Sequence, residues 1–225
     1  WVIGCSTYLD ECIRRLESDP ELCINGTIYP HRTPLPEGCH PELDTSPLLS
    51  DVGIRKYQML IGMAQWASTI GRLDIAFSVS SLSRFSAAPR EGHLELLLHL
   101  FGFLKKFHNK RIVMDSRPLI VDPSLRKELF HPDFLDDYPD ACEDIASDFP
   151  TAYGPELETS VFFDADHAHD HVTRRSITGL IVFVGSTPVL WSSKRQGCIA
   201  TSTYCAEFIS MRSAVEEAIS IRYML

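Results

Sequence analysis

The sequence predicts an α/β chain in two parts, a helical block followed by a short β-β-β-α unit. Three observations carry this reading. Apolar residues recur at helical spacing between positions 55 and 108, the period changes after position 159 to three β-branched runs before one helix, and a proline-rich acidic stretch lies between. The expected divisions are an extended, proline-rich part over 1–54, a helical block over 55–115, an acidic linker over 116–158 and the β-β-β-α unit over 159–225.

The elements follow in order. Thr7 to Glu17 sets Leu9, Cys12, Ile13 and Leu16 at helical spacing, with Thr7 as the expected cap. From Ser18 to Asp51, Pro20, Pro30, Pro34, Pro36, Pro41 and Pro47 leave no room for periodicity, so an extended connector is expected. Three helices are then predicted. Arg55 to Ile70 carries Tyr57, Leu60, Ile61, Ala64 and Ala67 on one stripe, Leu73 to Ser86 carries Ile75, Val79, Leu82 and Phe85, and Arg90 to His108 ends in Lys105 and Lys106. Pro89 is expected at the start of the third, where its missing N–H is harmless. Arg111 to Asp115 reads as a strand, and a short helix is expected near Leu125 to Phe130.

Beyond the linker, strands are predicted at Val161 to Asp164, Ser176 to Gly185 and Pro188 to Ser193, with Gly185-Ser186 as a hairpin turn. A helix from about Ser202 to Leu225 places Phe208, Met211, Val215, Ala218 and Ile219 on one side, capped by Ser202 or Thr203. Trp66 and Trp191 read as core aromatics rather than stacking platforms.

Composition limits the function. With 225 residues and 44% hydrophobic content the chain can bury a substantial core. It has no apolar run of about 18 residues and no secretory-signal order, so neither a membrane span nor export is expected. An intracellular soluble protein is the default. The chain opens on Trp1 and closes in a helical pattern, so it is expected to be a piece of something longer. Its seven cysteines are odd in number, scattered and without a C-x-x-C pair, which argues against a disulfide framework or structural zinc.

The charge of −9 is localised: eleven acidic residues against three basic ones between Ser116 and Glu158 account for −8 of it. The remainder carries basic clusters at Lys105, Lys106, Lys110 and Arg111, at Arg174 and Arg175, and at Lys194 and Arg195. They suit a phosphate-tracking surface, and equally an ordinary solvated one.

The chemistry centres on two carboxylates. Asp164 ends the first strand of the β-β-β-α unit and Glu207 sits in the opening turns of its helix. An Asp and a Glu so placed can converge, and their repulsion favours a divalent cation between them. Turn and helix-dipole preferences also put acids at such positions. A capping box does not explain Glu207, which is not the third residue after Ser202 or Thr203.

Several blocks carry a resemblance. D-A-D-H-A-H-D (Asp164 to Asp170), R-R-S-I-T-G (Arg174 to Gly179), W-S-S-K-R-Q (Trp191 to Gln196) and A-T-S-T-Y-C-A-E-F (Ala200 to Phe208) resemble the ribonuclease H region of copia-type LTR retrotransposon polyproteins. Upstream, K-Y-Q-M-L-I-G-M-A-Q-W (Lys56 to Trp66), R-L-D-I-A-F-S-V-S-S-L-S-R-F (Arg72 to Phe85) and T-P-L-P-E-G (Thr33 to Gly38) resemble segments lying beyond the reverse-transcriptase palm in the same polyproteins. The resemblance implies that 1–54 is a reverse-transcriptase tail, 55–115 a connection block and 159–225 a truncated, ribonuclease H-like β-β-β-α unit.

It further implies that Asp164 and Glu207 are catalytic metal ligands for Mg²⁺, with Mn²⁺ as a substitute, and that Asp166 supports them without binding. Arg174, Arg175, Lys194 and Arg195 would face an RNA–DNA hybrid. The remainder of the parent polyprotein is the implied partner, and a cytoplasmic virus-like particle or the nucleus the implied location. His167 and His169 depart from the family's W and G, and Cys205 from its E. The later D-N-x-S-A block and the palm Y-V-D-D motif are absent, so the carboxylate set is expected to be incomplete and this polypeptide alone to cleave little or nothing.

Two alternatives stand beside this. His167, His169 and His171 fall one residue short of the H-x-H-x-D-H pattern of a zinc-dependent hydrolase. A non-catalytic nucleic-acid-binding or assembly remnant would use the basic clusters and cleave nothing.

Overall fold

The computed structural model describes residues 1–23, 26–122, 148, 150, 154 and 157–225. Strand β1 (Val2–Ile3) precedes helix α1 (Ser6–Glu17), and a 3₁₀ turn at Pro41–Leu43 interrupts the connector. Helix α2 (Asp51–Ile70), a 3₁₀ turn at Leu73–Ile75, α3 (Ala76–Ser83) and α4 (Glu91–Lys106) follow, then β2 (Ile112–Val113). Strands β3 (Thr159–Asp166), β4 (Ile177–Val184) and β5 (Thr187–Arg195) lead into α5 (Thr203–Arg222). The described residues form a mixed α/β structure with two small antiparallel sheets, β1-β2 and β3-β4-β5.

Local chemistry explains the helix limits. Ser50 caps α2 by accepting the Gly53 N–H at 3.2 Å, and Gly71 ends it with a φ of 144°. The expected stripe is buried: Tyr57, Leu60, Ile61, Ala64 and Ala67 face Leu9, Leu16, Leu82, Leu97 and Leu100. Within this core the Tyr57 hydroxyl donates to the Leu82 carbonyl at 2.8 Å. Helix α1 shares the core with α2 and α4, so residues 1–54 are not merely a tail laid outside it. The connector then crosses α4 at Gly102, where any β-carbon would collide with the Tyr29 carbonyl.

Three expectations are corrected. Residue Cys5, not Thr7, stands at the N-cap of α1, and it supplies no side-chain hydrogen bond. Arg90 is the N-cap of α4, so Pro89 precedes the helix instead of opening it. Trp66 is 47% exposed and lies on Tyr8, with ring centroids 4.2 Å apart, while Trp191 is half-buried. The predicted helix near Leu125 to Phe130 lies outside the described residues.

The face of α5 also differs. Phe208, Met211, Val215 and Ile219, which share one side, are exposed, and Ala206, Ser210, Ala214 and Ile221 are buried. The small residues let the helix lie close to the sheet, where Gln196 ties it down. Its side-chain amide donates to Thr178 Oγ1 and to the Ala206 carbonyl, both at 3.0 Å. A polar latch has displaced the larger apolar stripe from the interface.

Candidate active site

Sheet register decides where the candidate residues stand. In β3, Asp164 pairs with Gly179 and Ala165 with Thr178, so alternate residues face opposite sides. Ala165 lies against Ala200 and Ala206 under α5. Asp164 therefore takes the other side with Phe162 and Asp166, beside a cleft that Leu73 and Phe77 of the helical block also line. Glu207 follows Ala206 on α5. Asp164 and Glu207 are thus the chain neighbours of two residues in contact, Ala165 and Ala206, but Asp164 stands on the face of the sheet away from α5, and the expected convergence of the two carboxylates on one face is not seen.

Ser202 caps α5 by accepting the Cys205 N–H at 3.2 Å. Glu207 lies two residues beyond that position and has no capping role. Neither Asp164 nor Glu207 has a hydrogen-bond or ion-pair partner among the described residues. Asp166 does: its Oδ2 is 2.6 Å from His169 Nδ1. Among the described residues no group of three or more histidine, cysteine, aspartate or glutamate side chains assembles as a metal centre. Two free carboxylates still suit Mg²⁺ in kind, because that ion is commonly held by one or two carboxylates while keeping several waters.

The basic residues divide. Arg174 and Lys194 are exposed and Arg175 is half-exposed. Arg195, by contrast, is committed inward, its Nη1 donating to Asp170 at 2.9 Å. Asp170 is 1% exposed and also accepts from Arg84, the C-cap of α3, at 2.7 Å and from the Thr173 N–H at 2.7 Å. Burial pushes its pKa up, but the Thr173 N–H, Arg195 and Arg84 outweigh that and hold it well below the usual carboxylate range.

The histidines do not form the zinc arrangement. His167 Nε2 lies 3.2 Å from the Ala200 carbonyl, His169 turns to Asp166, and His171 lies against His40 with ring centroids 3.9 Å apart. The backbone N–H of His171 donates to Glu42 at 3.0 Å, so this loop joins the sheet to the connector. Sequence reasoning missed Asp170 and Glu42 as that joint. No local signal marks them, since their partners are distant in the chain.

No protein-family model matches the chain, and no solved structure gives a match. It is 27% identical over 210 residues to a putative transposon Ty5-1 protein of Saccharomyces cerevisiae, covering 93% of this chain and 54% of that one. It is 25% identical over 191 residues to a retrovirus-related Pol polyprotein from transposon RE1 of Arabidopsis thaliana, covering 85% of this chain and 10% of the polyprotein. A retrovirus-related Pol polyprotein from transposon TNT 1-94 of Nicotiana tabacum is 24% identical over 169 residues, covering 75% and 10%. The chain thus spans about half of the first relative and a tenth of the other two, and is similar to parts of transposon Pol polyproteins. Among the described residues no helix is long and apolar enough to cross a membrane.

Proposed function

We propose that this chain is a piece of a copia-type retrotransposon polyprotein, in which the β-β-β-α unit begins a ribonuclease H-like domain that cleaves the RNA strand of RNA–DNA hybrids. One observation carries the reading: Asp164 on β3 and Glu207 in the first turns of α5 lack hydrogen-bond and ion-pair partners among the described residues and adjoin the Ala165 and Ala206 contact. The similarity to transposon Pol polyproteins supports it.

Asp164 and Glu207 would hold Mg²⁺, or Mn²⁺ in its place. When bound, such an ion lowers the pKa of a coordinated water and stabilises the departing oxygen in phosphodiester hydrolysis. The chain's own residues supply negative charge that no lysine or arginine among the described residues pairs with, and Asp166, held by His169, supports the strand end. Arg174, Arg175 and Lys194 are free to meet phosphate. Arg195 serves the internal joint at Asp170 instead.

Two carboxylates are too few for a two-metal centre, so this polypeptide alone is expected to cleave little or nothing. An assay on an RNA–DNA hybrid with Mg²⁺, comparing the chain with Asp164→Asn, tests this. Robust Asp164-dependent cleavage would show that the centre is complete. Salt-sensitive binding of the hybrid without cleavage fits both an incomplete domain and a binding remnant, and loss of binding on removal of Arg174 and Lys194 would assign that surface.

A further inference from the structure

The cleft beside Asp164 has a character that metal binding does not require. Its volume is about 460 Å³, and it opens between the sheet and the helical block. Leu73 and Phe77 form one wall, and Phe162, Ile181 and Trp191 the other. The indole of Trp191 is fixed, because its Nε1 donates to the Ser68 carbonyl at 3.0 Å. Phe77 and Phe162 are 38% and 40% exposed, so aromatic surface is open to solvent there. The charged side chains lining the cleft, among the described residues, are Asp164 and Asp166, and no lysine or arginine offsets them.

An apolar aromatic slot whose mouth carries a carboxylate without a partner among the described residues selects against anions. A hydrated ion gains nothing from the aromatic walls. A neutral aromatic gains nothing from Asp164. An aromatic cation uses both, through stacking, cation–π attraction and an ion pair in a partly desolvated setting. The size falls in the range of small-molecule pockets.

We infer that the cleft between Phe77, Trp191 and Asp164 binds planar organic cations of the diaminoacridine type. Asp164 supplies the counter-charge, Trp191 and Phe162 supply the faces, and Phe77 closes the outer side. The inference uses the same Asp164 as the proposed metal centre but needs neither Mg²⁺ nor nucleic acid.

The test is a fluorescence titration of the full chain with proflavine in the presence of a chelator and without nucleic acid. Acridine, which is uncharged under mildly alkaline conditions, serves as the neutral control. Expected are saturable proflavine binding, a loss of about tenfold in affinity in Asp164→Asn, a similar loss in Phe77→Ala, and weak acridine binding unaffected by Asp164→Asn. Asp164 and Phe77 are both solvent-exposed, and circular dichroism of each variant verifies its fold. Absence of saturable binding, equal affinity for acridine and proflavine, or unchanged affinity in both folded variants would each overturn the inference. Added Mg²⁺ distinguishes the two readings: competition supports a shared Asp164, and proflavine binding that persists without any Mg²⁺ effect leaves the cleft standing while the metal reading fails.

Discussion

Arg84 and Asp170 are joined at 2.7 Å although 86 residues separate them in the chain. Arg84 belongs to the helical block and Asp170 to the loop after β3, so this ion pair, with Arg195 on the same carboxylate, fastens the two parts together. Strand β5 packs against α3, and the candidate face of β3 lines the cleft that Phe77 of α3 also lines.

Replacing Asp170 by Asn leaves two arginines without their shared acceptor and is expected to cost about 3 kcal/mol at neutral pH. The folded pKa of Asp170 is depressed, so its contribution is fully present above the unfolded value of about 3.9 and is lost as pH falls through the folded value. Urea unfolding of both proteins across pH checks this. The gap between them should be constant near neutrality and narrow below about pH 4.

Helix α4 is crossed so closely at Gly102 that a methyl group has no space beside the Tyr29 carbonyl. Gly102→Ala should cost about 1–3 kcal/mol despite the better helix propensity of alanine. Gly62 in α2 has nothing within 4 Å of its added β-carbon, so Gly62→Ala should stabilise by roughly 0.5–1 kcal/mol. Thermal midpoints moving in opposite directions would bear out the packing of the connector.

Tyr57 is fully buried, and its hydroxyl serves the Leu82 carbonyl at 2.8 Å. Tyr57→Phe keeps the ring and removes one of two hydrogen bonds at that carbonyl, which still accepts the Phe85 N–H at 3.1 Å, so a loss of about 1 kcal/mol is expected in chemical denaturation. Burial also pushes the Tyr57 phenol pKa up, and the tyrosine should titrate normally only after unfolding.

Thiol labelling reports the same core. Desolvation raises the pKa values of Cys5, Cys12 and Cys23, whereas Cys198 is exposed. A thiol reagent should modify Cys198 rapidly in the native chain and reach the other three only on unfolding, as mass spectrometry of the labelled peptides would show.

Much of the fold was legible because periodicity reports burial. The stripe Tyr57, Leu60, Ile61, Ala64 and Ala67 is buried as its spacing implies, β3 and β5 extend beyond the predicted runs, and β4 lies just inside its own. The face of α5 was not legible. Size and hydrophobicity favour Phe208 and Met211 for burial, but the hydrogen bonds of Gln196 and Thr178 select the small face instead. At the candidate site, residue types suggested Asp164 and Glu207, while strand alternation, which sets Asp164 on the side opposite Ala165, required the register. Arg195 shows the same limit from the other direction, since a basic residue suited to phosphate turned out to serve Asp170.

We propose that Asp164 and Glu207 both contribute to a divalent-metal centre. Titration with Mn²⁺ followed by electron paramagnetic resonance tests it most directly, on the native chain and on Asp164→Asn and Glu207→Gln. One weak site is expected, abolished by Asp164→Asn and weakened by Glu207→Gln. Mn²⁺ binding equal in all three proteins, or none in any, would contradict it.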